Sequence, residues 1–292
     1  MKLNWTVLLL VLGGTLARAD DCHDALASFD YASAGQRAQA QLAAAPADAM
    51  ALMCAARAAY ETGHFGKALQ SLRAVEQKRP QGELRTYAYN WLTVTLRRLG
   101  RESEAMQYGQ AALAWARRET SRQNLATALH NMAGLAYAQG NVAMARALYL
   151  ASIPLNPDLS ERSASINNLG LILQAQGDHA AAEKWLLEAI ALNRSEGHFH
   201  HLGKHLMNLG NLYREAGRFD DAEAMLDEGA ALIERAGDQY WLAVAARYRG
   251  WLARDQRDWA LAGRWLALAA RTYDHAGAVA DGNATREELS RF

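Results

Sequence analysis

Two stretches, NNLGLILQAQGDHAAAEKWLLEAI from Asn167 to Ile190 and MNLGNLYREAGRFDDAEAMLDEGA from Met207 to Ala230, decide the architecture of this chain. Each carries apolar residues at helical spacing, then a glycine, then a second apolar-periodic segment. A third copy, NMAGLAYAQGNVAMARALYLAS, starts at Asn131. Working outward, glycines fall at Gly63, Gly100, Gly140, Gly177 and Gly217, at intervals of 37, 40, 37 and 40 residues. Five residues after each stands an alanine: Ala68, Ala105, Ala145, Ala182 and Ala222. Ala262 continues the series, with Arg257 where the glycine would be. The glycine ends a first helix in a left-handed turn that other residues adopt only under strain. The alanine is small because there the second helix lies against the first. A single helical hairpin cannot bury its apolar face, so such hairpins stack.

These copies resemble the tetratricopeptide repeat, and the 40-residue spacing is similar to the longer-helix variant of adaptor proteins. The resemblance runs from about Phe29 to about Gly277. It implies an all-α fold, a right-handed solenoid of stacked antiparallel helix pairs. We assign six repeats, 49–82, 86–120, 126–159, 163–197, 203–237 and 243–277, which together form an array over 49–277. Residues 20–48 form a degenerate capping hairpin, in which Tyr31 to Ala34 and Leu42, closed by Pro46, resemble a second helix behind a truncated first one. Residues 278–292 form a C-terminal tail or capping helix. The composition agrees: 51% of residues are hydrophobic and prolines number only 4, so a buried helical core is expected.

The N-terminus reads as a secretory signal peptide over residues 1–19. Lys2 precedes an apolar run from Trp5 to Leu16, and Ala17-Arg18-Ala19 fits a cleavage site. The run is too short to span a bilayer, which takes about 20 apolar residues, and no later segment is apolar enough to cross one. The expected location is outside the cytosol, in the periplasm of a Gram-negative cell. Export permits a disulfide between the two cysteines, Cys22 and Cys54. The resemblance places them on neighbouring first helices, where a bond would tie the cap to the array.

Lys plus Arg and Asp plus Glu number 31 each, so the formal charge is zero. A nucleic-acid binder carries a basic excess or stripe, and neither is present. No HExxH helix, phosphate-cradling glycine loop or GxSxG elbow occurs. The chain is therefore expected to bind rather than catalyse, without a cofactor. One cluster has ligand chemistry: His198, His200, His201 and His205 crowd into HFHHLGKH, with His201 and His205 at i, i+4 on one helical face. It reads either as a metal site or as the polar first turn of a repeat.

The resemblance puts the first helices on a concave groove. Nine residues before three successive glycines stand Asn131, Asn168 and Asn208, with Asn90 and Asn167 beside them. An amide offers both a donor and an acceptor. Such a ladder can hold the backbone of an extended partner segment or tie neighbouring helices together. Trp91, Tyr137, Asn211, Arg214, Tyr248 and Trp251 are expected on the same face, whereas Trp185, Trp259 and Trp265 are assigned to packing. The family's clamp for a free C-terminal carboxylate is not matched, since Lys204 is the only lysine at the corresponding positions. The expected partner is another exported or envelope protein, bound through a peptide segment. A homodimer through aromatics near Trp241, Trp251 and Trp259 is the alternative.

Overall fold

The computed structural model describes residues 22–26 and 28–291. The signal-peptide reading of residues 1–19 lies outside them. A helical turn over residues 22–26 precedes α1 (Tyr31–Ala44). Six hairpins follow: α2 (Ala49–Glu61) with α3 (Phe65–Gln77), α4 (Gly82–Arg98) with α5 (Glu102–Ala116), and α6 (Arg122–Ala138) with α7 (Val142–Ser152). Next come α8 (Leu159–Ala175) with α9 (His179–Glu196), α10 (Phe199–Glu215) with α11 (Phe219–Ala236), and α12 (Gln239–Asp255) with α13 (Trp259–His275). A last helix, α14 (Val279–Leu289), packs on α13. The chain is a right-handed α-solenoid, and no strand occurs among the described residues.

Local chemistry sets these elements. Gly140 and Gly177 turn between helices at φ +77° and +81°, and Arg257 takes the same left-handed conformation at φ +67° in the position where the repeat lacks its glycine. The next residue often caps the second helix: Asn141 accepts from Met144 N at 3.1 Å, Asp178 from Ala181 N at 3.1 Å and Asp258 from Leu261 N at 2.9 Å. Each such cap stabilises its helix by about 1 kcal/mol. All six repeat alanines, from Ala68 to Ala262, are 0% exposed. At Gly210 a Cβ would lie 3.1 Å from Ala222 O, so the two helices of that hairpin nearly touch backbones.

The starts of five first helices differ from the sequence reading. From the second repeat onward, the first helices start four residues earlier than assigned, at 82, 122, 159, 199 and 239. At α6 the opening turn Arg122-Gln123-Asn124 is polar, so the apolar period hides it. The histidine run of HFHHLGKH accordingly sits at the start of α10 and on its first two turns. Cys22 on the leading helical turn is bonded to Cys54 of α2, with Cα atoms 6.5 Å apart.

The superhelix turns tightly enough that its two ends meet. Gln239 N at the start of α12 donates to Thr62 O, after α2, at 3.2 Å. Phe65 of α3 packs edge-on against Tyr240, ring centroids 5.5 Å apart, and belongs to the core of the C-terminal repeats. Phe29 and Tyr31 lie against His198 and His200, at 4.9 and 5.0 Å. This seam converts the groove into a chamber. Among the described residues no helix is long and apolar enough to cross a membrane.

Candidate functional site

The chamber has a volume of about 540 Å³ and is walled by the first helices and the seam. Asn90, Trp91, Asn131, Tyr137, Asn167, Asn168, Asn208, Tyr248 and Trp251 line it. Asn211 and Arg214 do not: Arg214 is buried against Asp255 at 2.5 Å and Glu215 at 3.1 Å, and its Nε donates to Asn211 Oδ1 at 3.0 Å. Of the tryptophans assigned to packing, Trp185 and Trp265 are half-buried in core clusters, but Trp259 is 56% exposed. It opens α13 at the repeat position that Phe65, packed on Tyr240 across the seam, holds in α3. Trp241, which the self-association alternative put on an outer surface, borders the chamber beside Trp251, whose Nε1 donates to Glu288 at 2.9 Å.

The asparagines bond to one another in a fixed register. Asn131 Nδ2 donates to Asn90 O at 3.2 Å, and Asn208 Nδ2 to Asn167 Oδ1 at 3.0 Å, each across 41 residues of sequence. The side chain of one first helix thus ties back to the preceding first helix. Asn90 continues the chain to Asn124 O at 3.2 Å, and Asn168 Nδ2 reaches the Tyr149 hydroxyl at 3.0 Å. Every Nδ2 group in this ladder therefore donates to a protein partner. An amide has a second N–H and two acceptor lone pairs, so half-buried Asn168 keeps capacity toward the chamber.

The histidine cluster forms the seam. His200 Nε2 lies 2.9 Å from Asp238 Oδ2, and its Nδ1 is 3.1 Å from the Tyr31 hydroxyl. Lys204 Nζ sits 3.3 Å from Glu61 and 3.4 Å from Asp238. Burial disfavours the Glu61 carboxylate, but Lys204, His200 and Arg57 together hold its pKa below the usual value. Ligand-type atoms of Glu61, His200 and His201 all come within 4.8 Å of one another. Lys204 already supplies the positive charge those acids require, which weakens any pull on a metal ion. The sequence pair His201 and His205 does not converge on one point: the rings are 6.4 Å apart, and His205 Nε2 lies 3.2 Å from Ser163 Oγ. Burial, then the Lys204 charge, pushes the His205 pKa down to about 3. Burial, followed by Lys204 and the other histidines, holds His201 well below its ordinary value.

Sequence reasoning missed the chamber's charged side chains, Arg57, Arg97, Arg98, Glu161 and Asp281. They lie far apart in the chain, and only the seam brings them together. Two guanidiniums stack on aromatic faces, Arg57 at 5.4 Å from the Trp91 centroid and Arg98 at 4.2 Å from that of Tyr240. Glu161 accepts from Thr127 at 2.9 Å and Asn156 at 3.1 Å, and burial raises its pKa.

The stacked hairpins, their turn glycines and the superhelical chamber define a helical repeat protein. A family model described as tetratricopeptide repeat matches residues 161–232. A Rap protein complexed with competence and sporulation factor superposes with a TM-score of 0.64, covering 96% of this chain and 97% of its own, at 12% identity. The Rap conjugation gene regulator of plasmid pLS20, in complex with the Phr* peptide, gives 0.67 over 94% and 74% at 14% identity. Aspartyl phosphate phosphatase F from Bacillus subtilis gives 0.56 over 99% and 75% at 12% identity. At such identities the likeness is one of fold. No curated protein sequence matches the chain. Residues 161–232 carry tetratricopeptide repeats, and the chain as a whole shares the fold of these solved helical-repeat structures.

Proposed function

We propose that this protein is a non-catalytic interaction module that holds a segment of a partner protein in its chamber. The observation that carries the reading is the chamber itself, an interior space of about 540 Å³ walled by aromatic and arginine side chains. Binding pockets for small ligands run roughly 300–1,000 Å³, and aromatic and arginine side chains dominate recognition surfaces. Two solved structures of the same fold are peptide or signalling-factor complexes, which favours a peptide as the occupant. The partner is another exported or envelope protein. The Cys22–Cys54 bond supports a location outside the cytosol, because structural disulfides persist in oxidising compartments.

A photo-crosslinking residue at Tyr137, 39% exposed on the chamber wall, tests the site against one at Leu187, 45% exposed on the second helix α9. Partner adducts from position 137 alone support the reading. Adducts from position 187 alone overturn it. Location is tested by fractionating cells, and full-length protein retained in the cytosol contradicts export. One observation favours a second reading, self-association through the C-terminal repeats: Trp259 and Leu268 of α13 are 56% and 41% exposed. A dimer in light scattering that Trp259→Asp dissolves would establish it.

A further inference from the structure

We propose that the chamber recognises acidic side chains, so that the segment it holds carries Asp or Glu residues. The proposal rests on the chamber reading above and names the chemistry of its occupant.

Three arginines face the space: Arg57 of α2, and Arg97 and Arg98 of the last turn of α4. Among the described residues, none of them has a carboxylate oxygen within the 4.0 Å of an ion pair. The other cations of the interior are paired. Lys204 lies 3.3 Å from Glu61, Arg247 contacts Glu288, and Arg214 lies 2.5 Å from Asp255. The chamber's own acids are also engaged. Glu61 holds Lys204, Glu161 accepts from Thr127 and Asn156, and Asp158 Oδ1 accepts from Glu161 N at 3.0 Å. Asp281, in the first turn of α14, acts on Arg98 only through its field.

The three guanidiniums are held in place by neutral groups. Arg57 stacks on Trp91, while its Nε is buried without a partner. Arg98 stacks on Tyr240. Arg97 lies against Gly134 of α6, where an added Cβ would be 3.5 Å from both its Cζ and the Tyr149 hydroxyl. A guanidinium cannot shed its charge at any ordinary pH. An interior charge with no carboxylate in contact is costly, and the protein holds three around one space, with Glu61 and Glu161 acting on Arg57 only from a distance. A carboxylate matches the guanidinium fork in a bidentate pair.

The test uses the full exported chain and three fluorescein-labelled hexapeptide pools of equal apolar content. Their variable polar positions are Asp/Glu, Asn/Gln or Lys/Arg, and inorganic phosphate serves as a separate probe. The expected result is binding of the acidic pool about tenfold tighter than the neutral one, weakening as salt rises. Arg97→Gln with Arg98→Gln should lose that preference. These substitutions should also leave the melting temperature unchanged or raised, since they remove unpaired charge; a structural role would lower it. Arg97→Lys with Arg98→Lys keeps the charge and should retain part of the preference.

Equal binding of acidic and neutral pools, abolished by Tyr137→Ala, overturns the acidic assignment and leaves the chamber reading intact. Acidic binding that survives both the arginine and the Tyr137 changes places it on the outer surface and overturns both. Binding of no pool overturns the proposal. Phosphate competing as well as the acidic pool does would assign the arginines to a free anion instead.

Discussion

Replacing Gly63 by alanine isolates the seam that closes the chamber. Gly63 turns between α2 and α3 at φ +77°, and Gly140 makes the equivalent turn between α6 and α7 at the same φ. An alanine at either site pays the left-handed backbone cost of about 1–2 kcal/mol. The surroundings differ. At Gly140 an added Cβ meets nothing within 4 Å, whereas at Gly63 it would lie 2.6 Å from Tyr240 N and 3.2 Å from Gln239 N. Those are backbone atoms and cannot swing aside, so the start of α12 must move away. The bond from Gln239 N to Thr62 O and the packing of Phe65 on Tyr240 go with it. Losing that hydrogen bond adds about 1 kcal/mol, and the separated rings add about 1 kcal/mol more. Gly140→Ala should lose about 1–2 kcal/mol in urea unfolding with unchanged small-angle scattering. Gly63→Ala should lose about 3–4 kcal/mol, and its radius of gyration should rise as the ends part. Equal losses with equal scattering would refute the seam.

Further outcomes follow from the buried charges and bonds. His205 and His130 are held neutral in the fold, at about 3 and about 4, the latter by burial and then by Arg97. Their folded pKa values lie below the unfolded 6.5, so the unfolded chain binds more protons in acid. Stability is full above pH 6.5 and falls as pH drops toward 4, by about 1.4 kcal/mol per pH unit for each ring; a flat urea midpoint between pH 7 and 5 would contradict this. Lys204→Met leaves Glu61 and Asp238 without their cation and should cost about 3–5 kcal/mol in urea unfolding at pH 7. Asn208→Ala orphans Asn167 Oδ1 and should cost about 1–3 kcal/mol in the same assay. Reducing Cys22–Cys54, which are 32 residues apart, should lower stability by about 3–4 kcal/mol in the chain-entropy model, read as the shift of the urea midpoint on adding dithiothreitol.

The repeat was legible in the sequence because its physics is local. A left-handed turn demands glycine, and the close crossing five residues on demands alanine, so Gly140 with Ala145 and Gly177 with Ala182 announce the hairpin wherever they occur. The polar opening turn of α6 was not legible, since Arg122 and Gln123 break the apolar period while the backbone continues. The asparagine ladder could be seen, but its partners could not: Asn131 bonding Asn90 depends on the register between helices 41 residues apart. Closure is less local still. Thr62 meets Gln239 and Tyr31 meets His200 with no shared motif to flag either pair. Because the seam gathers Arg57, Arg97 and Arg98 beside Tyr240, the arginine wall was hidden for the same reason. Trp259 shows the limit of position alone, since it shares a repeat position with buried Phe65 and is 56% exposed.

Closure is the claim on which the chamber, and everything proposed for it, depends. Cys22 and Cys54 are bonded to each other and leave no free thiol. The variant Thr62→Cys with Gln239→Cys therefore adds the only reactive pair, at a backbone contact of 3.2 Å. Mild oxidation of the folded protein, read as a mobility shift on a non-reducing gel, should join the two positions quickly and nearly completely within one chain. Thiols that stay free in the folded protein, or that link only between chains, would show the ends apart and the chamber open.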